Sequence, residues 1–334
     1  MSVTIPVDEW LLVLRQEYLR DFIKRGGAAV KFVVPLDGLE HKVILDKLRQ
    51  AAEETGYLFA SVDAAITKAH MIDKVFHTVA KQVAWDDLAY TFLRSTLSES
   101  QYRLPAERKD FDLEHLASLN GHGVGEMRVI INHRLQEQLF RDYAMTQEFR
   151  IAMQWLCRAQ LEPKSVPAGI PEGIRDWLHG ELRLISALKP ALIFQKIGRH
   201  NGRDMLLSLS HWLHITGKAG LLMVLDISRF SETSRPKEPD GSLYYTTPAV
   251  KGGYEALRQF IDDTDDLHFC LLVVVAHPSF LIEGERRGLW GYDALKLRIW
   301  DEVHDRKRPN VLSSLVRLSG TQQSYNAPLT RGAQ

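Results

Sequence analysis

Apolar residues recur at three- and four-residue steps from the start of the chain. Trp10, Leu11, Leu14, Tyr18 and Phe22 form one stripe behind Asp8, which predicts an amphipathic helix capped by Asp8 and ending near Gly26-Gly27. The run AAVKFVV at 28–34 is short, apolar and β-branched, as a buried strand requires. A turn-forming PLDG follows, then a helical pattern, KVILDKLRQAAEE (42–54), and after a Thr-Gly turn a second strand, YLFASVD (57–63). A strand, loop, helix and strand in this order form a βαβ crossover of about minimum length and predict a parallel sheet.

The pattern changes at Ala69. From there to about Ser186, β-branched runs almost vanish and long helical patterns take over, including MRVIINHRLQEQLFRDYAMTQEFRIAMQWLCRAQL (127–161). Strand character returns in GLLMVLD (220–226) and FCLLVVVA (269–276), each preceded by an amphipathic helix, at 205–215 and 254–263. The expected architecture is an α/β core at 1–68 and 198–320 interrupted by a helical insertion at 69–197, with a disordered tail at 321–334. Segment 229–250, rich in Ser, Thr, Pro and charge, reads as an exposed, mobile loop.

Composition narrows the function classes only a little. The 334 residues carry 42 basic and 42 acidic side chains and are 45% hydrophobic, the balance of an ordinary globular protein. Zero net charge argues against a surface that is phosphate-binding throughout, but leaves room for a local basic patch. Two cysteines, Cys157 and Cys270, both in apolar stretches, build neither a disulfide framework nor a thiolate metal site. With no signal-like start and no run of 18 apolar residues, the expectation is a cytoplasmic protein without a membrane span.

A strand, a loop at 35–42, a helix and a later apolar strand ending in Asp226 are the parts of a P-loop nucleoside-triphosphate fold in chain order. That loop needs G-x-x-x-x-G-K-[ST]: backbone N–H groups wrap the phosphates, the Lys neutralises them and the hydroxyl holds magnesium. Here it reads Pro35-Leu36-Asp37-Gly38-Leu39-Glu40-His41-Lys42. Pro35 removes an N–H, Asp37 and Glu40 bring carboxylates, His41 takes the Lys position and Lys42 the hydroxyl position. After Asp226, Ile227 stands where a hydrolytic site carries a water-orienting Glu. A charge-assisted hydrogen bond is worth about 1.5–3 kcal/mol, so losing two weakens nucleotide binding by on the order of a hundredfold or more. On pattern alone, an unrelated α/β domain fits equally well.

The stretches GLLMVLDISRF, GGYEALRQFID, LLVVVAHPSF and ERRGLWGYDALKLRI resemble the ATP-binding domain family of BREX phage-defence systems. GGAAVKFVVPLDGLEHKVILDKLRQAAEETGYLFASVD is similar to that family's P-loop unit with its phosphate-binding residues replaced. The resemblance covers 26–63 and 198–300 and is weaker through the helical insertion. By position it implies that Gly38, His41, Lys42 and Asp226 mark a degenerate nucleotide site, Asp226 matching the strand-end metal-coordinating Asp. Arg287, Tyr292 and Arg298 match a late family signature. Arg286, Arg287 and Arg298 are candidates to complete a partner's nucleotide site in trans; the alternative is that they pair with Asp293, Asp301 or Glu302. His277, at the end of a core strand, stands where related ATPases place a polar sensor.

Other features weigh less. His211 and His214 sit three apart on a helix without a third ligand, so no metal site is expected. The glycines of GHGVGEM (121–127) follow a helix and predict an interhelical loop. Asp262, Asp263, Asp265 and Asp266 read as a solvated turn. Arg306, Lys307 and Arg308, interleaved with Asp301, Glu302 and Asp305, and Lys24, Arg25 and Lys31 are the basic groups open to DNA phosphates. The leading expectation is a pseudo-ATPase without a cofactor, serving as a structural or regulatory subunit beside another defence-system protein such as an active ATPase. The other readings are an atypical ATPase, with Lys42 reaching the phosphates of ATP with Mg one residue out of register, and a DNA-binding adaptor.

Overall fold

A computed structural model describes residues 4–36, 38–235, 241–300 and 310–320. Its centre is one parallel sheet of six strands: β1 (Ile5–Pro6), β2 (Ala28–Pro35), β3 (Leu58–Asp63), β4 (Leu221–Asp226), β5 (Cys270–Val275) and β6 (Leu315–Ser319). Their order across the sheet is β1-β6-β2-β5-β4-β3. The four strands legible in the sequence are all present and parallel. β2 and β3 are nevertheless not neighbours, because β5 and β4 lie between them. The reason is in the composition. CLLVVV and LLMVLD are apolar at nearly every position and suit the middle of a sheet covered on both faces, whereas LFASVD alternates and takes the edge.

Strand periodicity divides the core into two layers. Ala28, Val30, Phe32 and Val34 of β2, with Met223 and Leu272, face one side, while Val33, Leu222, Val224 and Val273 face the other. The second face is covered by α1 (Val7–Val13), a π-helical continuation at Leu14–Phe22 and α2 (His41–Thr55). The first carries α3 (Ile72–Ala80), α4 (Trp85–Glu99), α5 (Leu113–Asn120), α6 (Val124–Leu135), α7 (Gln147–Leu161), α8 (Ile170–His179), α9 (Gly202–Ile215), α10 (Thr247–Asp262) and α11 (Asp293–Ile299). The block at 69–197 shares one continuous apolar core with this face of the sheet.

Several local expectations change. The first helix starts at Val7, so Asp8 lies in its first turn and bonds Lys47 Nζ at 2.6 Å instead of capping. The π-helical register brings Leu19 inside and turns Phe22 outward, 49% exposed. The long pattern at 127–161 is two helices, α6 and α7, separated by a π-helical turn at Gln136–Phe140 and a loop closed by Thr146, which accepts from Phe149 N. Segment 229–250 is not loose at its described ends. Phe230 and Tyr245 are buried, and Arg229 donates to Leu243 O at 2.9 Å and Ser242 Oγ at 2.6 Å. The interhelical turn expected at 121–127 is shorter than that: Gly121 and Gly123 lie between α5 and α6, whereas Gly125 is already inside α6.

Lys31 is the main departure from the surface reading. It is buried in β2, lies 4.5 Å from the centroid of the Tyr18 ring and donates to the carbonyls of Leu312 and Ser313, which lead into β6. Lys31→Met should leave those carbonyls short of a donor and lower stability by about 2–3 kcal/mol. Urea unfolding checks this, and an unchanged midpoint would show that the ammonium does not hold β6. Arg25 pairs with Asp21 at 2.7 Å. Arg306, Lys307, Arg308, Asp301, Glu302, Asp305, Asp37 and the expected tail at 321–334 lie outside the described residues.

Candidate functional site

In a parallel sheet, ligands bind beyond the carboxyl ends of the strands, where the chain leaves one strand for opposite sides of the sheet. β2 is such a strand: the chain runs from it to β3 at one edge, while β6 returns on its other side. β2 closes with Pro35, in register with Leu318, and the Leu36 N–H bonds Leu318 O at 2.7 Å. Gly38 turns the chain at φ +76°, and α2 begins at His41 behind Glu40, whose side chain makes no capping bond. The loop is short, and its helix places His41 opposite the end of β4.

There His41 meets Asp226. Its Nδ1 lies 3.0 Å from Asp226 Oδ2 and 3.0 Å from Ser228 Oγ, and the Ser228 N–H donates to Asp226 Oδ1 at 2.8 Å. All three side chains are half-buried. Burial alone would raise the Asp226 carboxyl, but the hydrogen bonds from His41 and Ser228 outweigh it and hold the group below the usual carboxylate range. The carboxylate is thus ionised and engaged on both oxygens. The group is not a nucleophilic relay, because Ser228 and Asp226 meet the same ring nitrogen. Ser228 was not singled out from sequence, although an Asp two residues before a Ser is the spacing at which the carboxylate accepts from the backbone.

The remaining sequence candidates separate. Lys42 is exposed on the first turn of α2. His277 stands exposed just past β5, on the same sheet edge, and its Nδ1 accepts from Ser279 N at 3.1 Å, capping a short turn at Pro278–Leu281. Arg287 is buried: it donates to Glu232 O and, at 2.9 Å, to Tyr244 Oη, whose ring it also covers. Arg298 is paired with Asp262, with a second contact of 2.8 Å. Tyr292 Oη donates to Glu255, which also holds Arg258; the bonds from Arg258 and Tyr292 hold the Glu255 carboxyl down to about 2. Tyr292 and Arg298 therefore clamp α11 onto α10 through Glu255 and Asp262, and Arg287 ties its own turn to the Glu232 carbonyl; Asp293, one of the expected partners, pairs with Lys296 at 3.1 Å instead. Arg286 and Arg298 are both exposed, but Arg298 is held by Asp262, whereas Arg286 makes no side-chain bond among the described residues.

Arg287→Ala should cost about 2–3 kcal/mol in urea unfolding, because the Glu232 carbonyl and Tyr244 lose a buried donor. Arg287→Lys should recover only part, since a single ammonium cannot serve both positions of the fork. Full stability in the Ala variant would free this arginine for another role.

Among the described residues, no group of three or more His, Cys, Asp or Glu converges to hold a metal. His211 bonds Asp142 at 2.7 Å, and His214 stacks on Phe269 at 3.6 Å between ring centres. Asp262 is held by Arg258 and Arg298, Asp263 by Arg203 at 2.9 Å, and the chain at 263–266 is a turn. Both thiols are buried, which pushes Cys270 up to about 12 and Cys157 well above its usual range. No described helix is long and apolar enough to cross a membrane. A family model described as BREX system ATP-binding protein BrxC/D matches residues 17–329. No curated protein and no solved structure matches the chain.

Proposed function

The chain belongs to the BREX system ATP-binding protein BrxC/D family, whose role lies in phage defence, and we propose that it is a P-loop subunit silent toward ATP that acts on a protein partner of that system. One observation carries this reading. The residue in the phosphate-binding Lys position, His41, is bonded to the strand-end Asp226 and to Ser228. In an active site of this fold the Lys meets phosphate and the Asp serves magnesium; here the two positions satisfy each other. Glu40 at the helix start adds a carboxylate where the phosphates would lie, and Pro35 withholds an N–H. These residues do not fit a triphosphate with magnesium.

The partner-directed half of the proposal rests on Arg286, which is exposed on the turn after β5 and makes no side-chain bond among the described residues. It is the arginine of the late stretch free to reach a neighbour's nucleotide. Calorimetric titration with ATP, with and without magnesium, tests the silent site. Magnesium-dependent binding tighter than about 100 μM that disappears in Asp226→Asn would overturn it, and its loss in Lys42→Ala would identify the out-of-register lysine as the contact. Co-purification from the native operon tests the partner, and elution of the chain alone at low salt would count against one.

A further inference from the structure

A cleft of about 510 Å³ opens between the starts of α3 and α9 and the side of α10, away from His41 and Asp226. We propose that it binds the phosphate group of a small phosphorylated ligand of nucleotide size. His70, Arg199, His200 and Arg203 line it, together with Asp204 and Glu255. Arg199 is exposed and makes no hydrogen bond or ion pair among the described residues. His70, half-buried against the Tyr245 ring, has an Nδ1 that is shielded from solvent and lacks a protein partner.

Arg203 is already paired with Asp263 at 2.9 Å, so Arg199 is the guanidinium the cleft offers without a partner among the described residues, and the backbone adds to it. Gly202, the first residue of α9, packs so closely on the start of α3 that a Cβ there would lie 3.0 Å from the Asp73 backbone, which brings two helix N-termini together. Asn201 caps neither, because its side chain is bonded to Gly198 N at 2.8 Å and to Lys196 O. The Gly202 N–H is already bonded to Gly198 O at 2.8 Å, so it is the later first-turn N–H groups and the helix dipole that favour an anion at that end. Asp73, buried in the first turn of α3, opposes an anion there, while the two carboxylates that line the cleft do so only weakly. Glu255 is already held by Arg258, Gln259 and Tyr292, and Asp204 is exposed to solvent screening. Ile72, Ala256 and Phe260 give the cleft an apolar wall, and its volume lies in the range of small-ligand sites.

Gly252 supplies a clean test. It lines the cleft on the exposed side of α10, and a Cβ there would meet nothing within 4 Å, so Gly252→Phe fills the cleft without disturbing the core. The probes are AMP, inorganic phosphate and adenosine, titrated without magnesium by calorimetry and by the imidazole proton resonances of His70 and His200. AMP should bind with a Kd below about 1 mM, inorganic phosphate more weakly and adenosine not measurably. Arg199→Ala should weaken AMP at least about tenfold. Gly252→Phe should abolish it, Asp204→Asn should strengthen it, and Asp226→Asn should leave it unchanged. No saturable AMP binding, or binding equal in Arg199→Ala and Gly252→Phe, overturns the proposal. So does equal affinity for AMP and adenosine. Because magnesium and Asp226 play no part, failure here is separable from failure of the silent-site reading.

Discussion

The variant Pro35→Gly/Glu40→Gly/His41→Lys/Lys42→Ser should bind ATP with magnesium at least about tenfold tighter than the natural chain, and on the order of a hundredfold if two charge-assisted bonds form. The argument is a sum of local changes on an unchanged frame. Removing His41 releases Asp226 Oδ2 and Ser228 Oγ from the ring, and a lysine there places an ammonium at the start of α2. Removing Glu40 takes away a carboxylate that competes with phosphate for the favourable N-terminal end of α2. The frame should tolerate this, since β2 is held in register by β5 on one side and β6 on the other, and the Leu36 N–H remains bonded to Leu318 O.

Two controls decide what the result means. Asp226→Asn in the restored background should remove the magnesium-dependent part of the gain, because the carboxylate is then no longer available to the metal. Arg199→Ala in the same background should leave it intact, which excludes binding at the α3/α9 cleft. A restored chain that folds, as judged by circular dichroism, yet binds ATP no better than the natural one would sink the view that side chains silenced the site. The path of the backbone from Pro35 to Glu40 would then be the cause.

The sequence revealed this site unevenly, for physical reasons. β2, β4 and β5 were legible because a strand buried on both faces must be apolar at successive positions, as AAVKFVV and CLLVVV are, and the edge strand β3 was legible from its place just after the helical pattern and its Thr-Gly turn. β6 was missed because LVRLS alternates and is only five residues long, and β1 because two residues carry no period. The replacements at 35–42 could be read from spacing, but the bond between His41 and Asp226 could not, since the residues are 185 apart and meet only once β4 is placed in the sheet. Arg287 shows the reverse error. A charge in a late Gly-rich stretch looks like a surface group until Tyr244, from the loop expected to be mobile, is found covering it. Lys31 misled for the same reason, as its strand is interior but the end of its side chain reaches two carbonyls.

Trp212→Ala should lower stability by about 3–5 kcal/mol, the range for truncating a buried aromatic side chain, and should do so in one transition for sheet and helices together. Trp212 lies on α9 with its side chain fully buried, and its ring centre is 5.0 Å from that of Phe92 on α4. It belongs to the cluster that contains Phe32, Met223 and Leu272 of the sheet and Leu93, Met153 and Trp177 of the helical block. A cavity there touches both, so neither can relax alone. Trp212→Phe should cost clearly less, because the indole Nε1 has no hydrogen-bond partner to lose. Urea unfolding followed by hydrogen exchange of the α4 and α7 amides, and of the β4 and β5 amides, gives separate views of the two parts. Coincident midpoints in the natural chain and in Trp212→Ala are expected from a shared core. Earlier loss of the helical signal would instead mark 69–197 as a unit that unfolds on its own, and the closed edge at His41 and Asp226 would then survive in a chain whose helical block is already lost.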